Sequence, residues 1–211
     1  LAATLLTDEP VTLKRMPEVQ DIRTMCKLLE HLSKGCKQCD GMTTIAKVGP
    51  ERPVEDAPYD LVKTMRASVL VLGPLVARRG RARVSLPGGC SIGVRPIDQH
   101  LAGLEALGAD VTLERGYVTA EADYLKGTRF RFSVPTVTGT ENVLMAATLA
   151  RGTTVLENCA QEPEIGDLAR LLVEMGAKIE GIGTDTLTIH GERRFYDEKE
   201  AEGFKRIERR F

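Results

Sequence analysis

The sequence predicts a mixed α/β (α+β) fold with pseudo-threefold architecture. An internal repeat carries this reading, because self-similarity at a fixed period reports the whole architecture before any single element does. The three copies are "TLLTDEPVTLKRMPEVQDIRTMCKLLEHLSKG", "LVARRGRARVSLPGGCSIGVRPIDQHLAGLEALGAD" and "TLARGTTVLENCAQEPEIGDLARLLVEMGAKIEG". The helix-closing residues Leu32, Leu107 and Met175 lie 75 and 68 positions apart, a period of roughly 70. Gly108 and Gly176 stand where a left-handed helix cap belongs, and Ser33 breaks that pattern in the first copy.

The elements follow in order. Each copy opens on the end of a small-apolar helix, turns, and runs through a short β-branched strand to a proline and an acidic residue. An amphipathic helix comes next, ending in Leu or Met. Two alternating strands complete the unit: "DVTLERGYVTAEA" and "KIEGIGTDTLTIHG" alternate around glycine-containing turns, and "CKQCDGMTTIAKVG" does so more weakly. Each unit is therefore β-α-β-β. "YDLVKTMRASVLVLGPLVARRG" predicts one linking helix and "GTENVLMAATLARG", starting near Glu141, another. Packing the apolar helix faces together gives an inside-out α/β barrel, with helices inside and sheets outside. The domain runs over residues 1–191. The stretch 192–211, "ERRFYDEKEAEGFKRIERRF", is charged and aperiodic and reads as a solvated tail or an improvised helix. "LAATLLTDEP" opens as if inside an apolar helix, which predicts chain upstream of it.

Composition narrows the function classes. A net charge of -1, with 42% hydrophobic and 28% charged residues, describes a soluble globular chain and points to no nucleic acid or membrane partner. No apolar run reaches the roughly 18 residues a bilayer span needs. Five cysteines, Cys26, Cys36, Cys39, Cys90 and Cys159, fit a reducing, cytoplasmic compartment better than a disulfide scaffold. The lone C-x-x-C of Cys36 and Cys39 lacks the second pair that zinc usually needs; it reads as a solvent-facing turn, and no metal or cofactor is expected. There is no P-loop, and G-G-x-x-x-G at 88–93 has the wrong spacing for a dinucleotide fingerprint.

Four stretches carry candidate chemistry. In "SLPGGCSIGVRPIDQH" the glycine pair sets Cys90 at a loop tip. Its thiol is either a proton donor, with Arg95 and Arg83 the nearest cations in sequence, or a small residue packed in a turn. Arg66, beside Lys63 and before a nearly uncharged run, is either a snorkelling side chain or a fork for phosphate or carboxylate. Pro96 suits a first helical turn, and Asp98 is a helix-start carboxylate or an acceptor for a polar ligand. His100 is a structural histidine or a neighbour of the same site. "SVPTVTGTEN" is a capping turn using Thr138 or Thr140, or a helix start whose amides bind phosphate.

These residues carry a family resemblance. "APYDLVKTMRASVLVLGPLVARRGRARVSLPGGCSIGVRPIDQHLAGLEALGA" and "TVTGTENVLMAATLARGTTVLENCAQEPEIGDLARLLVEMGAKI" closely resemble the UDP-N-acetylglucosamine enolpyruvyl transferases. The resemblance covers about residues 1–191. It implies metal-free transfer of enolpyruvate from phosphoenolpyruvate to the 3-hydroxyl of UDP-N-acetylglucosamine through a tetrahedral adduct, with release of phosphate. By position, Cys90 matches the cysteine that protonates phosphoenolpyruvate and is alkylated by fosfomycin. Arg66 and Arg95 match arginines that hold the anionic substrates. Arg95, Pro96, Ile97, Asp98 and Gln99 match one segment that contacts the UDP-sugar, with Asp98 toward the uracil. Val134, Pro135, Thr136 and Val137 match a second.

The family has two such domains with the site in the cleft between them, so the resemblance implies a partner domain. A Lys-Asn pair near the start of the full family chain, and an aspartate and an arginine of the other domain, have no counterpart here. Val134 stands where one member group carries lysine. The alternative to a transferase is a non-catalytic module that binds a UDP-sugar or another protein.

Overall fold

The computed structural model describes residues 1–39, 41–48, 56–62, 65–86, 97–191 and 207–210; Arg66 and 207–210 are described by backbone alone. Three four-stranded sheets organise them. The first comprises β1 (Val11–Lys14), β2 (Lys34–Cys39), β3 (Met42–Lys47) and β12 (Ile207–Arg210). The second comprises β4 (Asp56–Ala57), β5 (Arg81–Ser85), β6 (Asp110–Glu114) and β7 (Tyr117–Glu121). The third comprises β8 (Arg129–Arg131), β9 (Gly152–Glu157), β10 (Lys178–Glu180) and β11 (Leu187–Gly191).

The strand orders are β12-β1-β3-β2, β4-β5-β7-β6 and β8-β9-β11-β10. In each sheet the first pair is parallel and the other two are antiparallel. No sheet closes on itself among the described residues.

Three helices lie between the first strand and the hairpin of their units: α1 (Gln20–His31), α4 (Asp98–Ala106) and α6 (Pro163–Glu174). α1 buries Thr24, Met25, Leu28 and Leu29, the spacing of one helix face. The helices close on Leu32, Leu107 and Met175, all fully buried. The next residues are Ser33 (φ 68°), Gly108 (φ 92°) and Gly176 (φ 109°). The left-handed cap is thus present in all three, and Ser33 does not break it.

A further helix, α5 (Val137–Ala147), buries most of its length and packs against α4, α6 and α3 (Leu72–Arg79). Two glycines allow this approach. A Cβ at Gly73 would run into the Asn142 backbone, and one at Gly103 into the Val143 side chain.

Several expectations are corrected. The first linking stretch is not one helix. It divides into α2 (Tyr59–Val62), a 3-10 segment (Arg66–Val71) and α3. Pro74 lies in the first turn of α3, where its missing N–H is tolerated; it cannot bond back to the Leu70 carbonyl, so the α-helix begins at Leu72 and the turn before it is 3-10. α5 starts at Val137, four residues before Glu141, because Thr136 caps it: its Oγ1 accepts from the Gly139 N–H at 3.3 Å. Cys36 and Cys39 occupy a strand, where an odd spacing sends the two side chains to opposite faces. In the tail, Ile207–Arg210 is a strand parallel to β1 rather than a helix.

Candidate functional site

The structure brings together the start of α4 and the start of α5. Ile97 is the residue before α4, Asp98 its first residue, and Gln99 follows, half-buried. Gln99 Oε1 accepts the backbone N–H of Ser133 at 2.8 Å, while its Nε2 donates to Asp98 Oδ2 at 3.3 Å. One side chain thereby ties 97–99 to the segment that leads into Val134–Val137. Val134 is 60% exposed, and Pro135 is exposed beside it; Thr136 and Val137 are half-buried at the helix start.

Behind this junction lies a buried polar chain. The Gly73 N–H donates to Asn142 Oδ1 at 2.7 Å. Asn142 Nδ2 lies 3.0 Å from His100 Nδ1, and His100 Nε2 lies 3.2 Å from Thr138 Oγ1. Burial pushes His100 down to about 4, with the Asp98 charge opposing it. It is neutral at pH 7 and works as a hydrogen-bonded core residue, the structural alternative of the sequence reading. Thr138 is no cap; its hydroxyl faces His100. Thr140 Oγ1 accepts the Ala160 N–H at 3.2 Å instead of capping α5.

An open depression of about 430 Å³ borders Pro135 and is lined by Asn158, Cys159, Ala160, Gln161, Glu162 and Asp185. Its charged groups are carboxylates, so it does not suit a polyanion. Burial pushes the Cys159 thiol up to about 12, which removes it as a nucleophile at neutral pH. Burial likewise raises Glu141 to about 7, with the Glu164 charge adding to the effect. No group of three or more His, Cys, Asp and Glu among the described residues could hold a metal ion.

Of the sequence-derived site residues, Gln99 is bonded to Ser133, the residue before Val134–Val137, and Asp98 is bonded to Gln99. Cys90, Arg95 and Pro96 lie outside the described residues. Arg66 opens the 3-10 segment, and its side chain lies outside them too. Ser133, Asn142 and Gly73 went unrecognised in the sequence. Asn142 alone left a signal there, as the amide in the apolar run "NVLMAA".

The sequence matches the family EPSP synthase (3-phosphoshikimate 1-carboxyvinyltransferase) over residues 1–203. The chain belongs to this family. It is 57% identical over 192 residues to the UDP-N-acetylglucosamine 1-carboxyvinyltransferase of Myxococcus xanthus (strain DK1622), covering 90% of this chain and 46% of that protein. Its fold is shared with the enolpyruvyl transferase NikO from Streptomyces tendae, with a TM-score of 0.78 at 21% identity over 98% of this chain and 47% of that one. EPSP synthase from Acinetobacter baumannii follows, with a TM-score of 0.68 at 17% identity over 98% of this chain and 46% of that one. The chain thus spans about half the length of these proteins that it matches. Among the described residues no helix is long and apolar enough to cross a membrane.

Proposed function

We propose that this chain supplies one half of an enolpyruvyl transferase site whose substrates are phosphoenolpyruvate and UDP-N-acetylglucosamine, the other half coming from a second domain of the same kind. The observation that carries the reading is the Gln99–Ser133 bond. It ties one of the two segments that the family resemblance gives to the nucleotide sugar to the residue just before the other. The 57% identity to a relative named for this substrate supports the choice of acceptor. The common strand order of the three sheets supports a reading of the domain as three copies of one unit, packed helices inward.

In this reading Arg66 and Arg95 hold the phosphate and carboxylate of phosphoenolpyruvate, since planar guanidinium forks match both anions. Cys90 gives its thiol proton to the methylene carbon while the sugar 3-hydroxyl oxygen bonds to the adjacent carbon, its proton passing to the aspartate that the resemblance implies in the partner domain. The tetrahedral adduct then loses a methyl proton, which returns the Cys90 thiolate to the thiol, and expels phosphate, leaving the enolpyruvyl ether. Ile97, Asp98, Gln99 and Val134–Val137 position the UDP-sugar, with Asp98 toward the uracil; Val134 contributes backbone alone. In this reading the chain serves cytoplasmic peptidoglycan precursor synthesis. The chain alone turns over little substrate, because half of the cleft residues belong to the partner domain.

The experiment is a titration of the 211-residue chain with UDP-N-acetylglucosamine, followed by fosfomycin and peptide mapping. Binding together with fosfomycin mass on Cys90 is the expected result, and absence of both overturns the reading. A second reading is a non-catalytic UDP-sugar-binding module; its signature is binding without labelling of Cys90.

A further inference from the structure

We propose that the Thr138 hydroxyl is a ligand contact of this site, donating to an anionic oxygen such as a nucleoside diphosphate presents, and that His100 and Asn142 are its positioning residues. The proposal rests on the functional reading above and extends it to three residues that reading does not use.

The direction of every bond in the chain follows from donor chemistry. A backbone N–H only donates, so the Gly73 contact at 2.7 Å fixes Asn142 Oδ1 as the acceptor. The amide nitrogen of Asn142 is therefore the atom that faces His100 Nδ1 at 3.0 Å. That nitrogen also only donates, so Nδ1 carries the lone pair. A neutral imidazole with a bare Nδ1 has its proton on Nε2, and Nε2–H donates to Thr138 Oγ1 at 3.2 Å. Burial keeps the ring neutral: His100 is 3% exposed and Asn142 is fully buried.

The consequence appears at the far end. The Thr138 oxygen is already an acceptor, so its own proton turns away from His100. Thr138 is exposed in the first turn of α5, two residues after Thr136 and one after Val137. A hydroxyl held this way is a fixed donor rather than a freely turning rotor, and each bond in the chain polarises the next. The anchor is tightly packed as well, since a Cβ at Gly73 in α3 would collide with the Asn142 backbone in α5. A titratable group faces His100 from its own helix, Asp98, whose charge only partly opposes the effect of burial.

Two measurements on the 211-residue chain test this. The first is long-range proton–nitrogen NMR of the imidazole at pH 6.5, without ligand. His100 is expected as the neutral Nε2–H tautomer; the Nδ1–H tautomer or an imidazolium overturns the proposal whatever the chain binds. The second is a titration with UDP-N-acetylglucosamine. Thr138→Val, an exposed near-isosteric change, is expected to weaken binding about tenfold or more, the effect of losing a bond to a charged acceptor. His100→Leu is expected to weaken it similarly. His100→Gln, which retains an N–H donor, is expected to stay within about threefold of wild type. Binding by wild type with unchanged affinity in Thr138→Val overturns this inference and leaves the functional reading standing. A wild type that takes up no UDP-sugar overturns both. If His100→Leu fails to fold, Thr138→Val and the tautomer still decide.

Discussion

The backbone N–H of Gly73 donates to the Asn142 side chain at 2.7 Å, and a Cβ at position 73 would collide with the Asn142 carbonyl oxygen. One contact thus sets how closely α3 and α5 can lie. Gly73→Ala is expected to destabilise the fold by about 1–3 kcal/mol, because the clash is with backbone that cannot swing aside. Urea denaturation measures it, and an unchanged midpoint would show that the two helices separate at little cost.

Ser33 and Gly108 adopt the same left-handed backbone after their helices, at φ 68° and 92°. Only the glycine does so without steric cost. Ser33→Gly is therefore expected to stabilise the chain by about 0.5 kcal/mol, the Cβ strain relieved less the added freedom of the unfolded chain. A thermal melt tests the sign; a lowered Tm contradicts it.

That comparison also marks how far the sequence could be read. The turns at Gly108 and Gly176, and the hairpin turning at Arg115 and Gly116, were legible because glycine announces its conformation locally. The cap at Ser33 was not, since tertiary packing imposes a conformation there that serine does not advertise. The pairing of Ile207–Arg210 with β1 joins residues almost the whole chain apart, and no local pattern encodes such a partner. For the candidate site, the segments 97–99 and 134–137 were proposed through family resemblance. The Gln99–Ser133 bond and the chain from Gly73 to Thr138 cross between elements 34 and more positions apart, and periodicity carries no such information.

Lys34 is buried in the first sheet, where its ammonium donates to the Thr7 carbonyl and lies 3.5 Å from Asp8. Burial pushes it down to about 8, against the pull of Asp8 and with help from Arg78 and Arg79. The folded state therefore disfavours the charged form. Above about pH 10.5, the unfolded value, this group costs nothing. As pH falls toward 8 the unfolded chain takes up the proton first, and stability is lost. Between pH 8 and 10.5 the stability of wild type relative to Lys34→Met is expected to rise with pH, while below 8 the difference levels off. Urea midpoints of both proteins across that range decide it; a difference that falls with pH refutes the assignment.

The C-x-x-C thiols differ in environment although only two residues separate them. Cys39 is exposed on β2, whereas Cys36 turns toward α1, its Sγ 3.9 Å from the Cys26 carbonyl oxygen. Burial raises the Cys36 thiol far above its ordinary value, and contact with the Cys26 side chain raises it further. Cys159 is also raised, to about 12. Because the thiolate is the reacting form, a thiol raised to about 12 holds roughly 1000-fold less of it than an ordinary one. Iodoacetamide at pH 8 is therefore expected to modify Cys39 well before Cys36 or Cys159. Peptide mapping over a time course reads the order directly. Equal rates at Cys36 and Cys39 would mean that the strand frays under native conditions and both thiols reach water together.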